Sequence, residues 1–287
     1  MANARPVVTI SPNNPVFDLP IYVARDEGLF ERAGIDVRFQ AKYSERNPSD
    51  RDAFARLKES LFEQGKADVY NVCEWAGIDR TERSQRGGRI LALRPAVAAQ
   101  AIVSFDDSIH EPRDLAGVAI GVNQLTGSHY ITLQSLEGAL DRSQIVVEHV
   151  GVPERRYQAL RERSMRAVTV MEPFISLALK DGAHLVDVTF YRGAEVIAPD
   201  LAPAQRDAYL GAINAAADLI GADFGRFKHY ITEQTRGALA PHELGDHYVR
   251  YTHYRELDPQ RFDHVYQWMR SWGLATGAAD HASLVAS

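Results

Sequence analysis

The 287-residue sequence predicts an α/β protein of two lobes around a cleft, with a helical C-terminal region. Three observations carry this. Short apolar runs alternate with helix-length segments up to residue 93, the pattern of strands joined by helical crossovers. The rhythm breaks over residues 100–117, and a fresh run of the same kind starts at Val118. Beyond residue 198 the pattern turns helical as far as Trp272.

The elements follow in order. Residues 7–12 read as a buried strand and 20–34 as a helix, with Pro20 near its start and Gly34 at its end. Residues 36–42 alternate as a second strand. Residues 50–65 carry Phe54, Leu57, Leu61 and Phe62 at helical spacing, with Asp50 as N-cap and Gly65 as stop. Strand 68–73, helix 75–86 and strand 89–93 complete the first unit. Residues 101–105 read as a strand crossing out of it, followed by a turn (106–110) and a short capped helix (111–114). The second unit runs strand 118–122, helix 126–140, strand 145–150, helix 153–165, strand 167–171, helix 174–182 and strand 184–190. A last crossing at 195–198 leads to helices over 202–272, where Phe262, Val265, Tyr266 and Met269 form an apolar face. The lobes are therefore expected at 1–100 with 195–287, and at 101–194. Helical connections imply parallel strands, and one sheet running unbroken through both lobes would contradict the plan.

Composition narrows the function. Lys plus Arg is 32 and Asp plus Glu is 38, a net charge of −6, with the basic residues dispersed. That argues against nucleic acid as a partner. A single cysteine, Cys73, excludes an internal disulfide or a cysteine-based zinc site. His242, His247 and His253 with Asp246 lack the i,i+4 spacing of a helical metal pair and read as a solvated surface. No run approaches the ~20 apolar residues of a membrane span, so no membrane insertion is expected. The first ten residues show no basic, apolar and small-residue leader pattern. The chain as given thus reads as cytoplasmic, or as periplasmic if a leader has been removed. Walker A, G-x-S-x-G and G-x-G-x-x-G signatures are absent, and no metal or cofactor is called for.

Five segments in register resemble one family. Pro20-Ile-Tyr-Val-Ala-Arg-Asp-Glu-Gly28-Leu-Phe with Gly34-Ile-Asp-Val37 is similar to the N-terminal signature of the type II periplasmic-binding-protein fold. The nearest branch holds the sulfonate, taurine and nitrate binders and the thiamine-pyrimidine proteins. Asp106-Asp-Ser-Ile109 and Pro112-Arg-Asp-Leu-Ala-Gly117-Val-Ala-Ile-Gly121 resemble its entry into the second lobe. Thr126-Gly127-Ser128-His129 matches the position of its ligand loop, and Met171-Glu172-Pro173 that of a strand ending in Glu-Pro. The resemblance spans residues 7–240 and implies a hinged, two-lobe, ligand-binding protein. Most members serve ABC importers; a minority are cytosolic enzymes, including pyrimidine synthases and aromatic sulfinate desulfinases. The synthases' cysteine-rich segment is missing. Where the desulfinases carry a nucleophilic cysteine, this sequence reads Ser11-Pro-Asn13-Asn14-Pro15.

The candidate site residues lie at strand ends, where open α/β sheets bind ligands. Thr126, Gly127 and Ser128 open a helix after a strand, so free N–H groups and hydroxyls can cradle an anion; the plainer reading is an N-cap. His129 would be a contact or proton shuttle. Asn13, Asn14 and Phe17 follow the first strand with polar and stacking groups, though Asn and Pro are also ordinary turn residues. Cys73 is either a small buried residue or a nucleophile activated by the helix behind it. Glu74 and Trp75 are contact candidates, and Glu172 would hold a ligand amine or the hinge.

Two functions follow. One is a binding protein of the ABC-transporter substrate-binding type for a small sulfonate-, carboxylate- or pyrimidine-like molecule in the interlobe cleft, partnered by an ABC permease if exported. The alternative is a cytosolic lyase or hydrolase using Cys73 or His129 with Glu74 as acid–base partner.

Overall fold

The computed structural model describes residues 4–47 and 49–286; residues 1–3, part of the leader reading, lie outside them. β1 (Val7–Ile10) turns Val8 and Ile10 into the core. α1 (Pro15–Asp26) starts earlier than Pro20: Pro15 takes the first position and Asn14 Oδ1 accepts from Val16 N at 3.0 Å. Pro20 is thus interior and has no N–H for the Val16 carbonyl. The Tyr251 hydroxyl donates to that carbonyl instead, at 2.8 Å. Gly28, at φ +68°, breaks the helix before α2 (Leu29–Arg32) and β2 (Asp36–Phe39).

The helix expected over 50–65 forms only as α3 (Leu57–Glu63), because Arg56 is extended and its guanidinium reaches the other lobe. β3 (Val69–Cys73), buried throughout, and α4 (Glu74–Arg83) follow. The segments 89–93 and 101–105 are one strand, β4 (Arg89–Ser104). The second unit comprises β5 (Ala119–Val122), α5 (Gly127–Leu136), β6 (Val146–His149), α6 (Pro153–Arg161), β7 (Ala167–Val170) and α7 (Phe174–Lys180). β8 (His184–Ile197) likewise merges two expected strands. α8 (Pro203–Ala222) and α9 (Lys228–Thr232) lead to β9 (Val249–Tyr251), which interrupts a region read as wholly helical; α10 (Pro259–Ser271) and α11 (His281–Leu284) close the chain.

The sheet order is β2-β1-β3-β8-β4-β7-β5-β6, with β9 on β4. Helix-linked neighbours are parallel (β1 with β2 and β3, β5 with β6 and β7), whereas β4 and β8 run antiparallel to each other. The ladder is therefore continuous, contrary to the expectation of unconnected sheets. That expectation treated the crossings as breaks, whereas each crossing is a strand of 16 or 14 residues belonging to both lobes. The two-lobe fold is preserved because one parallel set flanks β8 and the other flanks β4. Register slips between Leu93 and Val97 bend the shared pair. The expected lobe boundaries, 100/101 and 194/195, fall within β4 and β8.

Two apolar cores support the lobes. Val8, Ile10, Phe62 and Ile78 belong to the larger; Ile102, Leu115, Ile120 and Leu136 lie in a separate one beneath α5. Truncating such a residue to Ala costs about 2–5 kcal/mol. Beneath the shared β4–β8 pair, buried Arg94 meets Glu195 at 3.1 Å, and Glu195 also accepts from Tyr254 at 2.6 Å.

Candidate functional site

A cavity of about 130 Å³ lies between the lobes, room for roughly four waters at liquid density. The first lobe contributes Asn13, Asn14, Phe17, Lys58 and Cys73, and the second Thr126, Gly127, Ser128 and Arg156. Tyr191, from β8, stands against Gly127 so closely that a Cβ there would lie 2.6 Å from its hydroxyl.

Ser128 and Arg156 organise the second-lobe wall. α5 opens at Gly127, so its first-turn N–H groups have no helical carbonyl to bond. Ser128 Oγ accepts from Asn123 N and from Arg156 Nη1, both at 3.0 Å. Arg156 sits one position before buried Tyr157 and four before Leu160, on the inward face of α6. Its other partner is the Gly151 carbonyl at 2.9 Å. No carboxylate pairs with it among the described residues, and its Nε is buried without a partner. Burial holds its pKa down at about 10, because removing a cation from water disfavours the charged form.

The first-lobe wall is also cationic. Lys58 donates to the Asn71 carbonyl at 2.9 Å, and burial lowers its pKa. Arg56 donates across the cleft to the carbonyls of Gln124 (2.6 Å) and Leu125 (3.3 Å). Arg80 also reaches the Leu125 carbonyl, at 2.7 Å, and Arg46 pairs with Glu154 of the other lobe at 2.6 Å. These contacts draw the lobes together. Four cations line the cavity against two carboxylates, Asp50 and Glu59. Gln100 Oε1 is buried there and unpartnered. The wall suits an anion with a compact body able to donate one hydrogen bond.

Of the residues expected at the site, Asn13, Asn14, Phe17, Cys73, Thr126, Gly127 and Ser128 line this cavity. Four expected residues do not. Glu74 is held on the opposite face, both oxygens accepting from Arg261 at 2.6 Å. Trp75 lies buried with it and stacks on Tyr130. His129 turns behind the α5 terminus, where its Nδ1 accepts from Leu125 N at 3.2 Å. Glu172 accepts from Ser176 N and Oγ at the start of α7.

The expected acid–base set is therefore not assembled. The Ala76 N–H at the start of α4 favours the Cys73 thiolate, but burial outweighs it and pushes the thiol up to about 11. Burial holds His129 down at about 4, so it is neutral. Sequence reading missed Arg56, Lys58 and Arg156. The available signal was an arginine on the apolar face of helix 153–165.

No family model matches the chain, and no curated protein does. Solved structures do. The alkanesulfonate-binding protein SsuA of Xanthomonas axonopodis pv. citri, bound to MOPS, is 14% identical with a TM-score of 0.78, covering 99% of each chain. The periplasmic aliphatic sulphonate binding protein SsuA of Escherichia coli is 13% identical with a TM-score of 0.76, covering 98% of each. The desulfurization enzyme DSZB is 14% identical with a TM-score of 0.64, covering 98% of this chain and 96% of its own. The chain has the two-lobe, type II periplasmic-binding-protein-like fold that these binding proteins share with an enzyme.

Proposed function

We propose that this protein is a solute-binding protein of the ABC-importer substrate-binding type, holding one small sulfonate- or carboxylate-like anion between its lobes. The observation that carries the reading is Arg156, a buried guanidinium facing the cavity without a carboxylate partner. A buried cation is costly unless paired, and a bound anion supplies the pair. The anion would lie on Arg156, Ser128 and the first turn of α5, with its body against Phe17, Met171 and Tyr191. The fold neighbours that bind sulfonates favour this chemistry. We read the lobes as 1–100 with 195–287, and 101–194, bending at the slipped register of β4 and β8.

No helix among the described residues is long and apolar enough to cross a membrane, so delivery would go to a separate ABC permease. That role requires export, which cell fractionation of the native protein would test. Titration calorimetry with short alkanesulfonates and matching carboxylates tests the binding. One-to-one binding, with the ligand recovered intact after long incubation, is expected. If no anion binds, or the ligand is consumed, the reading fails.

A further inference from the structure

We propose a second anion site behind the hinge, on the face of β8 opposite the interlobe cavity, for a phosphate carried on a planar ring, the class of a nucleoside monophosphate. Successive residues of a strand face opposite ways. Phe190 and Arg192 border only a second cavity, of about 510 Å³, while Tyr191 between them touches both cavities.

The charges there are unbalanced. Two carboxylates border the cavity, and both are engaged by Arg261: Glu74 through the guanidinium, and Asp258 through the backbone N–H at 2.9 Å. Arg192 is half-buried and donates to the carbonyls of Arg94 (2.9 Å) and His253 (3.2 Å) and to Thr252 Oγ1 (2.5 Å), with no carboxylate partner. Burial lowers its pKa, and Arg255, Arg250 and Arg261 lower it further; Arg250 stands beside the cavity, opposite its wall residue Val97 in the β4–β9 ladder. Arg255 is exposed, and its side chain has no bonded partner among the described residues. Its backbone, however, is fixed to β4 through paired bonds with Leu93 at 2.7 and 3.0 Å. A guanidinium fork without a carboxylate partner on an anchored backbone, as at Arg255, matches phosphate oxygens, and Arg192 adds its charge beside it. Beside them Phe190 is 45% exposed, the most exposed of the large apolar side chains described, and offers a ring to stack on.

The test measures adenosine 5′-monophosphate and inorganic phosphate binding by calorimetry, in wild type and in Arg156→Met, where the first cavity loses the buried guanidinium that has no carboxylate partner. One-to-one nucleotide binding should survive Arg156→Met. Combined Arg250→Ala and Arg255→Ala should weaken it at least about tenfold, the effect of losing one charge-assisted contact. Phe190→Ser should weaken the nucleotide several-fold while leaving inorganic phosphate within about twofold. All three residues are exposed, so the fold should tolerate these changes. The site is refuted if the nucleotide fails to bind at millimolar concentration, if Arg156→Met abolishes its binding, or if the double arginine variant binds it unchanged. If Phe190→Ser leaves nucleotide binding unaltered, the planar-ring assignment is wrong.

Discussion

Replacing Arg156 by Met separates stability from binding. The guanidinium is held at a pKa of about 10 against an ordinary 12.5. A base whose folded pKa is depressed opposes folding over the whole range below it, here by roughly 3 kcal/mol at neutral pH. Met keeps much of the side-chain stem and removes the charge. It also removes the bonds to Ser128 Oγ and the Gly151 carbonyl, which offset about 1–3 kcal/mol of that gain. The ligand-free variant should therefore be as stable as wild type or up to about 2 kcal/mol more stable, as read by urea unfolding. Its affinity for the anion should fall about 100-fold, the loss of a charge-assisted contact of roughly 3 kcal/mol. Calorimetry on the same samples gives the second number. A variant that is more than about 2 kcal/mol less stable, or that binds within tenfold of wild type, would refute the reasoning.

Three further outcomes follow from the same geometry. Burial raises Glu172 to about 7 and lowers His129 to about 4. Glu172 therefore loses stability for the fold as pH rises from about 4.5 to 7, while His129 loses it as pH falls from about 6.5 to 4. Each effect is worth about 3 kcal/mol. Glu172→Gln should expose a stability that climbs with pH, and His129→Gln one that declines. Profiles identical to wild type would dismiss both assignments. Cys73, pushed up to about 11, should resist thiol reagents at pH 8 in the native protein, and Cys73→Ser should bind the anion within about threefold; rapid native labelling would contradict this. Tyr251→Phe should cost about 1–3 kcal/mol by leaving the Val16 carbonyl unpaired. A loss below about 0.5 kcal/mol would mean that water replaces the hydroxyl.

The order of strands and helices was legible because it rests on local periodicity, which survives in segments such as residues 118–122 and 167–171. Continuity was not. Arg94-Pro95 looks like a strand end, yet β4 continues through it because Arg94 finds Glu195 and the Phe17 carbonyl. No local pattern reports partners so distant in sequence. That residues 126–128 border the cleft was readable from helix-start chemistry after a strand. Expected residues that lie away from the cavity are chain neighbours of residues that line it: Cys73 lines the interlobe cavity, and Glu74 goes to Arg261 across the sheet. Arg156 escaped notice because its meaning depends on the absence of a partner, and only three dimensions reveal absence.

The hydrogen bond from Tyr251 to the Val16 carbonyl spans 235 positions, and that from Asn14 to Gln234 spans 220. A ribosome delivers residues in order, so α1 emerges long before the groups that complete it. The second lobe, by contrast, is nearly contiguous. Its fully buried core residues, from Ile102 to Val186, are out before synthesis of the last helices begins, and that region adds only the partly buried Trp268, Trp272 and Leu274 to its edge. We therefore expect the inserted lobe to settle first on the nascent chain, with the N-terminal helix accepting its final packing only near release. Protease pulses on arrested chains would show it: protection over 101–194 should precede protection of α1, and the reverse order would disprove this sequence of events.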